Sequence, residues 1–216
     1  MTTRIARPLI TLVCGVLAIG CQASTQIKSA KDPAFHDRIA KLFVISEVGA
    51  EYDSRTADDG PTRTSTTGTP RATIAGQFKS ALIREAEACG IQLDVSSVTK
   101  LDLDPNAHLE RMASFGARYV LTLAETGGTK SPEGVVIEAT YDARLSDRET
   151  KDRLVWRADI HLRQGSALSS ESAGTIVARD LLMKLDADQI IAACPGLRQR
   201  QLEHEREDEA RRRGRR

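Results

Sequence analysis

No stretch of this chain is apolar for long enough to cross a bilayer as a helix: residues 8–19, the clearest apolar run, fall short of the roughly 20 residues required. Short catalytic signatures are lacking too. There is no GxSxG element to raise a serine as a nucleophile and no glycine-rich phosphate loop, since Gly60 and Gly127-Gly128 read as turn glycines. The four histidines, His36, His108, His161 and His204, fall in separate segments without metal-ligand spacing. Asp102 and Asp104 are the one close pair of carboxylates, and Asp104 before Pro105 is accounted for as a helix cap. The expectation is a chain with no catalytic site, no metal site and no cofactor. An excess of one charge is also missing: 31 basic against 30 acidic side chains exert no general pull toward nucleic acid. Internal repeats and coiled-coil heptads are absent.

What is present begins at the N-terminus. Arg4 and Arg7 precede the apolar run, the layout of a bacterial export signal. Its end, Leu17-Ala18-Ile19-Gly20-Cys21, resembles the bacterial lipobox, with Ala18 where that motif prefers Leu. The resemblance implies cleavage before Cys21 and acylation of its thiol and new amino group. Three acyl chains, at ~0.8 kcal/mol per buried methylene, exceed the two signals that stable anchoring needs. By the sorting rule of such lipoproteins, Gln22 in place of Asp implies the outer membrane, with the domain facing the periplasm.

Loss of the signal removes Cys14 along with Arg4 and Arg7, so 29 of the 31 basic side chains remain. With Cys21 acylated, Cys89 and Cys194 are left in an oxidising compartment. Each ends a helical pattern just before Gly90 or Pro195-Gly196, so the two can lie side by side. A disulfide is expected, the alternative being two separate buried thiols.

Residues 22–38 are polar and aperiodic and read as a tether, reaching at most ~60 Å extended and about 20–25 Å as a coil. Residues 41–48, KLFVISEV, read as a strand buried in mid-sheet. A Thr-, Asp-, Gly- and Pro-rich loop covers 50–71. Residues 72–89 carry Ile74, Phe78, Leu82 and Ala86 at helical spacing and stop at Gly90. Residues 91–95 alternate as a strand; a second helix opens at Asp104-Pro105 and ends at Gly116; residues 117–125 form another strand. In 134–146 and 154–163 one apolar set of residues alternates with a second set that carries the charges, Glu138, Asp142, Arg144, Arg157, Asp159 and Arg163, around the turn SDRETKD, an antiparallel hairpin with one apolar and one charged face. A last helix spans about 170–193, with Val177, Ala178, Leu181, Leu182 and Leu185 on one side. Beyond it the sequence is nearly free of apolar residues and ends in an Arg-rich run, a solvated helix or a disordered tail.

The order βαβαβββα predicts an α/β (α+β) two-layer sandwich, a mixed sheet of about five strands with helices on one face. The segments are a signal at 1–20, a tether at 21–39, the domain at 40–195 and a charged tail at 196–216. Together KLFVISEV, the helix ending in GIQL, the GARYVLTL element and the hairpin ARLSDRETKDRLVW resemble the periplasmic α/β domain shared by the curli-secretion lipoprotein, the lipoprotein activators of penicillin-binding proteins and the N-terminal domain of the Tol-system propeller protein. The resemblance covers roughly residues 40–193 and implies an envelope accessory role. It departs in two respects: a short tether, and neither in the Thr-rich loop at 50–71 nor in the turn TGGTKSPEG the ~10-residue alternating apolar segments that a membrane barrel requires.

On the charged hairpin face, Glu138, Asp142 and Arg144 oppose Arg157, Asp159 and Arg163. Arg144, Arg157, Asp159 and His161 are the candidate partner-binding residues, against the plainer reading of a solvated face with cross-strand ion pairs. The expected function is that of a non-catalytic outer-membrane lipoprotein, anchored by its N-terminal lipid, serving an envelope assembly through contact with another envelope protein. The alternative is a periplasmic small-molecule or lipid-binding lipoprotein.

Overall fold

The architecture comes from a computed structural model, which describes residues 24–49, 74–98, 106–130, 136–163 and 173–213. Strands β1 (Ser24–Lys31), β2 (Lys41–Ser46), β3 (Gln92–Ser97), β4 (Tyr119–Lys130), β5 (Val136–Asp147) and β6 (Arg153–Arg163) form one sheet in the order β1-β6-β5-β4-β2-β3. Helices α1 (Ile74–Ala88), α2 (Ala107–Phe115), α3 (Ala173–Ala187) and α4 (Pro195–Arg213) complete the chain. The sheet is mixed: β2 pairs parallel with β3 and β4, and the rest is antiparallel.

The predicted two-layer class holds, with six strands rather than five. The sixth is β1, inside the stretch read as a tether. STQIKSAK has a single strong apolar residue, Ile27, so it shows no strand alternation by itself; it is templated by β6, with Ile27 opposite Ile160. Lys28 and Lys31 on this outer strand are the kind of charge that blunts a sheet edge. The TGGTKSPEG segment, read as a turn, instead carries β4 on to Lys130, with a register shift between Glu125 and Gly127.

Helices α1 and α3 cover one sheet face, as expected, with Phe78, Ala81, Leu82, Val177, Leu181 and Leu182 packed on Leu42, Val44, Leu121, Leu123, Tyr141, Trp156 and Ile160. Helix α2 departs from the one-face expectation. Its Met112 and Phe115 join Phe43 and Val120 in a small second core on the opposite side. The reason is strand order: β2 to β3 steps outward, whereas β3 to β4 steps back across β2. Right-handed crossovers in opposite directions lie on opposite faces.

Gly116 ends α2 as predicted, in the left-handed region at φ 66°, its N–H donating to the Met112 carbonyl. Asp104, the expected cap, lies outside the described residues, and Asn106 stands at the cap position without a side-chain bond. Helix α3 ends at Ala187, short of the expected 193, because the chain turns through Gln189 at φ 58°. Ile191 then lies in a parallel bridge beside Ile39. The tail, open between helix and disorder, is helix α4, with Leu197 buried at its start.

Within the hairpin, Trp156 and Tyr141 are core residues as predicted. Leu154 is not: a register shift between Leu145 and Ser146 inverts the alternation there, so Val155 is buried and Leu154 is 45% exposed.

Candidate functional site

Three strands, β5, β6 and β1, present a polar face on the side away from α1 and α3. Its residues stand in columns set by register. Glu138 pairs with Arg163; Thr140, His161 and Gln26 form the next row; Asp142, Asp159 and Lys28 the next; Arg144, Arg157 and Ala30 the last. All four residues singled out from the sequence, Arg144, Arg157, Asp159 and His161, are therefore on one surface and exposed.

The geometry couples two of them through a residue that sequence reasoning counted only as one more charge. Asp142 is buried, although it sits on the polar face. Arg144 Nε donates to its Oδ2 at 2.6 Å and Arg157 Nε to its Oδ1 at 2.8 Å. Burial alone would raise the Asp142 carboxyl, but the two guanidiniums outweigh it and hold the group below its usual range. The same contact raises Arg157. Arg144 and Arg157 face each other directly across β5 and β6, like charges that Asp142 bridges.

At one end of the face, Arg163 Nε donates to Glu138 Oε1 at 2.9 Å. Asp159 has Arg157 at 4.0 Å and stands opposite Lys28 and Asp142. His161 lies between Thr140 and Gln26. The surface is thus a mixed-sign lattice in which most charge is matched locally. Such a lattice discriminates partners by complementarity of pattern more than by net attraction.

Arg118 organises a second cluster, at the opposite end of the sheet. Its Nε donates to Asp147 Oδ1 at 2.8 Å and its Nη2 to Oδ2 at 2.5 Å, a bidentate pair, with Glu149 at 3.1 Å and Asp37 at 3.5 Å. Asp147, nearly buried, also accepts the Glu149 N–H at 3.0 Å and so shapes the 3-10 turn Arg148–Thr150. The Arg118 hydrogen bonds are the main reason the Asp147 carboxyl is lowered. Burial first, and then the hydrogen bond to Asp37, raise the Tyr119 hydroxyl. The turn sequence SDRETKD suggested a loop; the signal for the cluster, Arg118 beside a strand start and Asp147 beside a strand end, depends on the β4–β5 register.

Cys89 and Cys194 form a disulfide, Cα–Cα 5.0 Å, linking the end of α1 to the segment before α4. Cys21 lies outside the described residues, as do the Thr-rich loop and Asp102. His36, His108 and His161 stand on the β1–β2 connection, α2 and β6. Among the described residues no three His, Cys, Asp or Glu side chains gather to hold a metal ion, and no helix is long and apolar enough to cross a membrane.

Among the described residues, fold and surface together define an α/β sandwich in which β5, β6 and β1 present an exposed polar face. No family model and no curated protein matches this chain. Among solved structures it is similar to the PelC dodecamer from Paraburkholderia phytofirmans, at 21% identity over 78% of this chain and 99% of that one, with a TM-score of 0.42. It is also similar to lipoprotein GNA1162 from Neisseria meningitidis, at 15% identity over 68% of this chain and 99% of that one, with a TM-score of 0.34.

Proposed function

We propose that the chain is a non-catalytic lipoprotein of the outer membrane, acylated on Cys21 and facing the periplasm, that serves an envelope assembly through protein contacts made by the open face of β5, β6 and β1. The observation that carries the reading is the LAIGC run, which ends in Cys21 shortly before a disulfide-linked domain in which, among the described residues, β5, β6 and β1 present an exposed charge lattice. An exported disulfide fits the periplasm, and a surface of matched charges suits specific recognition of a protein with the complementary pattern.

Two measurements test it together. Intact mass of the protein from native membranes, with and without reduction, is expected to show the acyl groups on Cys21 and one disulfide. A photocrosslinking residue at Asp159, which leaves the Asp142 contacts in place, is expected to capture one discrete envelope protein. An unmodified Cys21 removes the anchor from the reading, and acylation with no capture from that face removes the adaptor.

A further inference from the structure

Register places the start of the described chain at a defined end of the molecule. Ser24 pairs with Arg163, which pairs with Glu138; β4 reaches the same end where Thr129 pairs with Glu138. Strands β2 and β3 run toward this end, since Ser46 pairs with both Ser97 and Leu123. Helices α1 and α3 both begin here, in close contact: a Cβ on Gly174 would stand 2.5 Å from the Ile74 carbonyl oxygen. The opposite end carries the turn Arg148–Thr150 and the disulfide.

Cys21 precedes Ser24 by three residues, a separation that covalent geometry limits to about 11 Å. From Ser24 onward the chain is committed to the sheet. All eight residues of β1 are in register with β6, Ile27 packs against the core, and Ser29 and Lys31 bond to Asp188 and Gln189. Slack that a polar tether would supply is therefore absent from residue 24 on. Eleven residues of β6 rise about 36 Å, more than three times that reach, so the two ends of the sheet cannot exchange places at the anchor.

We propose that the end of the sheet marked by Ser24, Glu138 and Arg163 is the surface that meets the lipid headgroups, so that β1, β6 and β5 stand away from the bilayer. This rests on acylation of Cys21. The short leash carries the argument rather than charge, because Arg163 and Glu138 neutralise each other. Along the open face the rows then lie at increasing height: Glu138 with Arg163, then His161, then Asp159 with Lys28, then Arg144 with Arg157. A partner on this face approaches sideways, close to the membrane, and the turn at Arg148 points into the periplasm.

The test uses the full chain in native membranes with a photocrosslinking residue at Arg163, at Glu138 or at Arg148, reading phospholipid adducts by mass and acylation of Cys21 in the same spectra. Adducts several-fold more abundant at Arg163 and Glu138 than at Arg148 support the proposal. So does loss of that difference when a flexible Gly/Ser spacer is inserted between Ala23 and Ser24. Equal labelling at all three positions, or strongest labelling at Arg148, on a chain whose Cys21 is acylated overturns it while leaving the lipoprotein reading intact. An unacylated Cys21 in the same spectra overturns both.

Discussion

Trp156 Nε1 donates a hydrogen bond of 2.8 Å to Asp188 Oδ2, joining the largest core side chain to the turn that follows α3. Ser29 Oγ donates to the same oxygen at 2.5 Å, and Lys184 Nζ lies 2.9 Å from Oδ1. One carboxylate therefore ties β1, β6 and α3 together. It also gives the buried indole N–H the partner it requires.

Asp188→Ala leaves that N–H without its acceptor and frees β1 on its core side. The expected cost is about 1–3 kcal/mol, read as a lower urea midpoint, with faster amide exchange across β1 than across β4. An unchanged midpoint would mean that the latch is replaceable by water.

Gly174→Ala is expected to be among the most damaging single-methyl additions in the chain. The new Cβ would meet the Ile74 carbonyl oxygen at 2.5 Å and the Phe78 nitrogen at 2.7 Å, both backbone atoms of α1 that cannot swing aside. Separating α1 from α3 costs roughly 1–3 kcal/mol, against the small gain alanine brings to an ordinary helix position. Thermal denaturation decides the sign: a Tm equal to or above the parent's refutes the close approach.

Reduction of Cys89–Cys194 opens a link spanning 105 residues. Chain entropy assigns such a loop about 4–5 kcal/mol. Urea midpoints of the domain with and without reductant, and of Cys89→Ser with Cys194→Ser, should fall together by a comparable amount. Agreement between the two would locate the effect in the cross-link rather than in lost packing.

Removing Arg144 or Arg157 singly leaves Asp142 with one guanidinium. Each truncation should cost about 1 kcal/mol or less, as for other exposed pairs. The double truncation strands a buried carboxylate and should cost more than the two singles added. A double-mutant cycle reads that excess directly, and strict additivity would show that the two arginines do not share the carboxylate in solution.

Acid should weaken the fold late. Asp147 is lowered chiefly by Arg118. Asp188 and Asp142 are raised by burial but lowered more by their hydrogen-bond partners. Asp32 is lowered by the Ala34 N–H and by Arg153. Depressed folded-state values stabilise above the unfolded carboxylate range and lose that contribution as pH falls through the folded values. The urea midpoint should therefore be flat from neutrality to about pH 5 and fall below about pH 4. Asp147→Asn should remove part of that slope, and a midpoint that rises on acidification contradicts the pairing.

How much of this could be read from residue order depended on where the information lay. Residues 139–145 and 156–162 alternate strictly because the hairpin buries one face of two adjacent strands, and the spacing of Phe78, Leu82 and Ala86 marked α1 for the same local reason. Gly116 stopped α2 by its own backbone freedom. The polar face was legible too, and Arg144, Arg157, Asp159 and His161 do share it. That Asp142 is the buried member was not legible, because its burial comes from two arginines, one of them on the neighbouring strand.

Local periodicity thus determined the hairpin, helices α1 and α3 and the face each presents to the core. Tertiary structure alone decided the rest. STQIKSAK becomes a strand only because β6 offers an unpaired edge, with Asp188 ready to accept from Ser29. Helix α2 lies on the far side only because β3 and β4 flank β2, a matter of strand order that right-handed crossovers convert into a choice of face. Neither fact resides in the segment it concerns: pairing partners and strand order are set by contacts distant in sequence, and a residue's neighbours along the chain do not carry them.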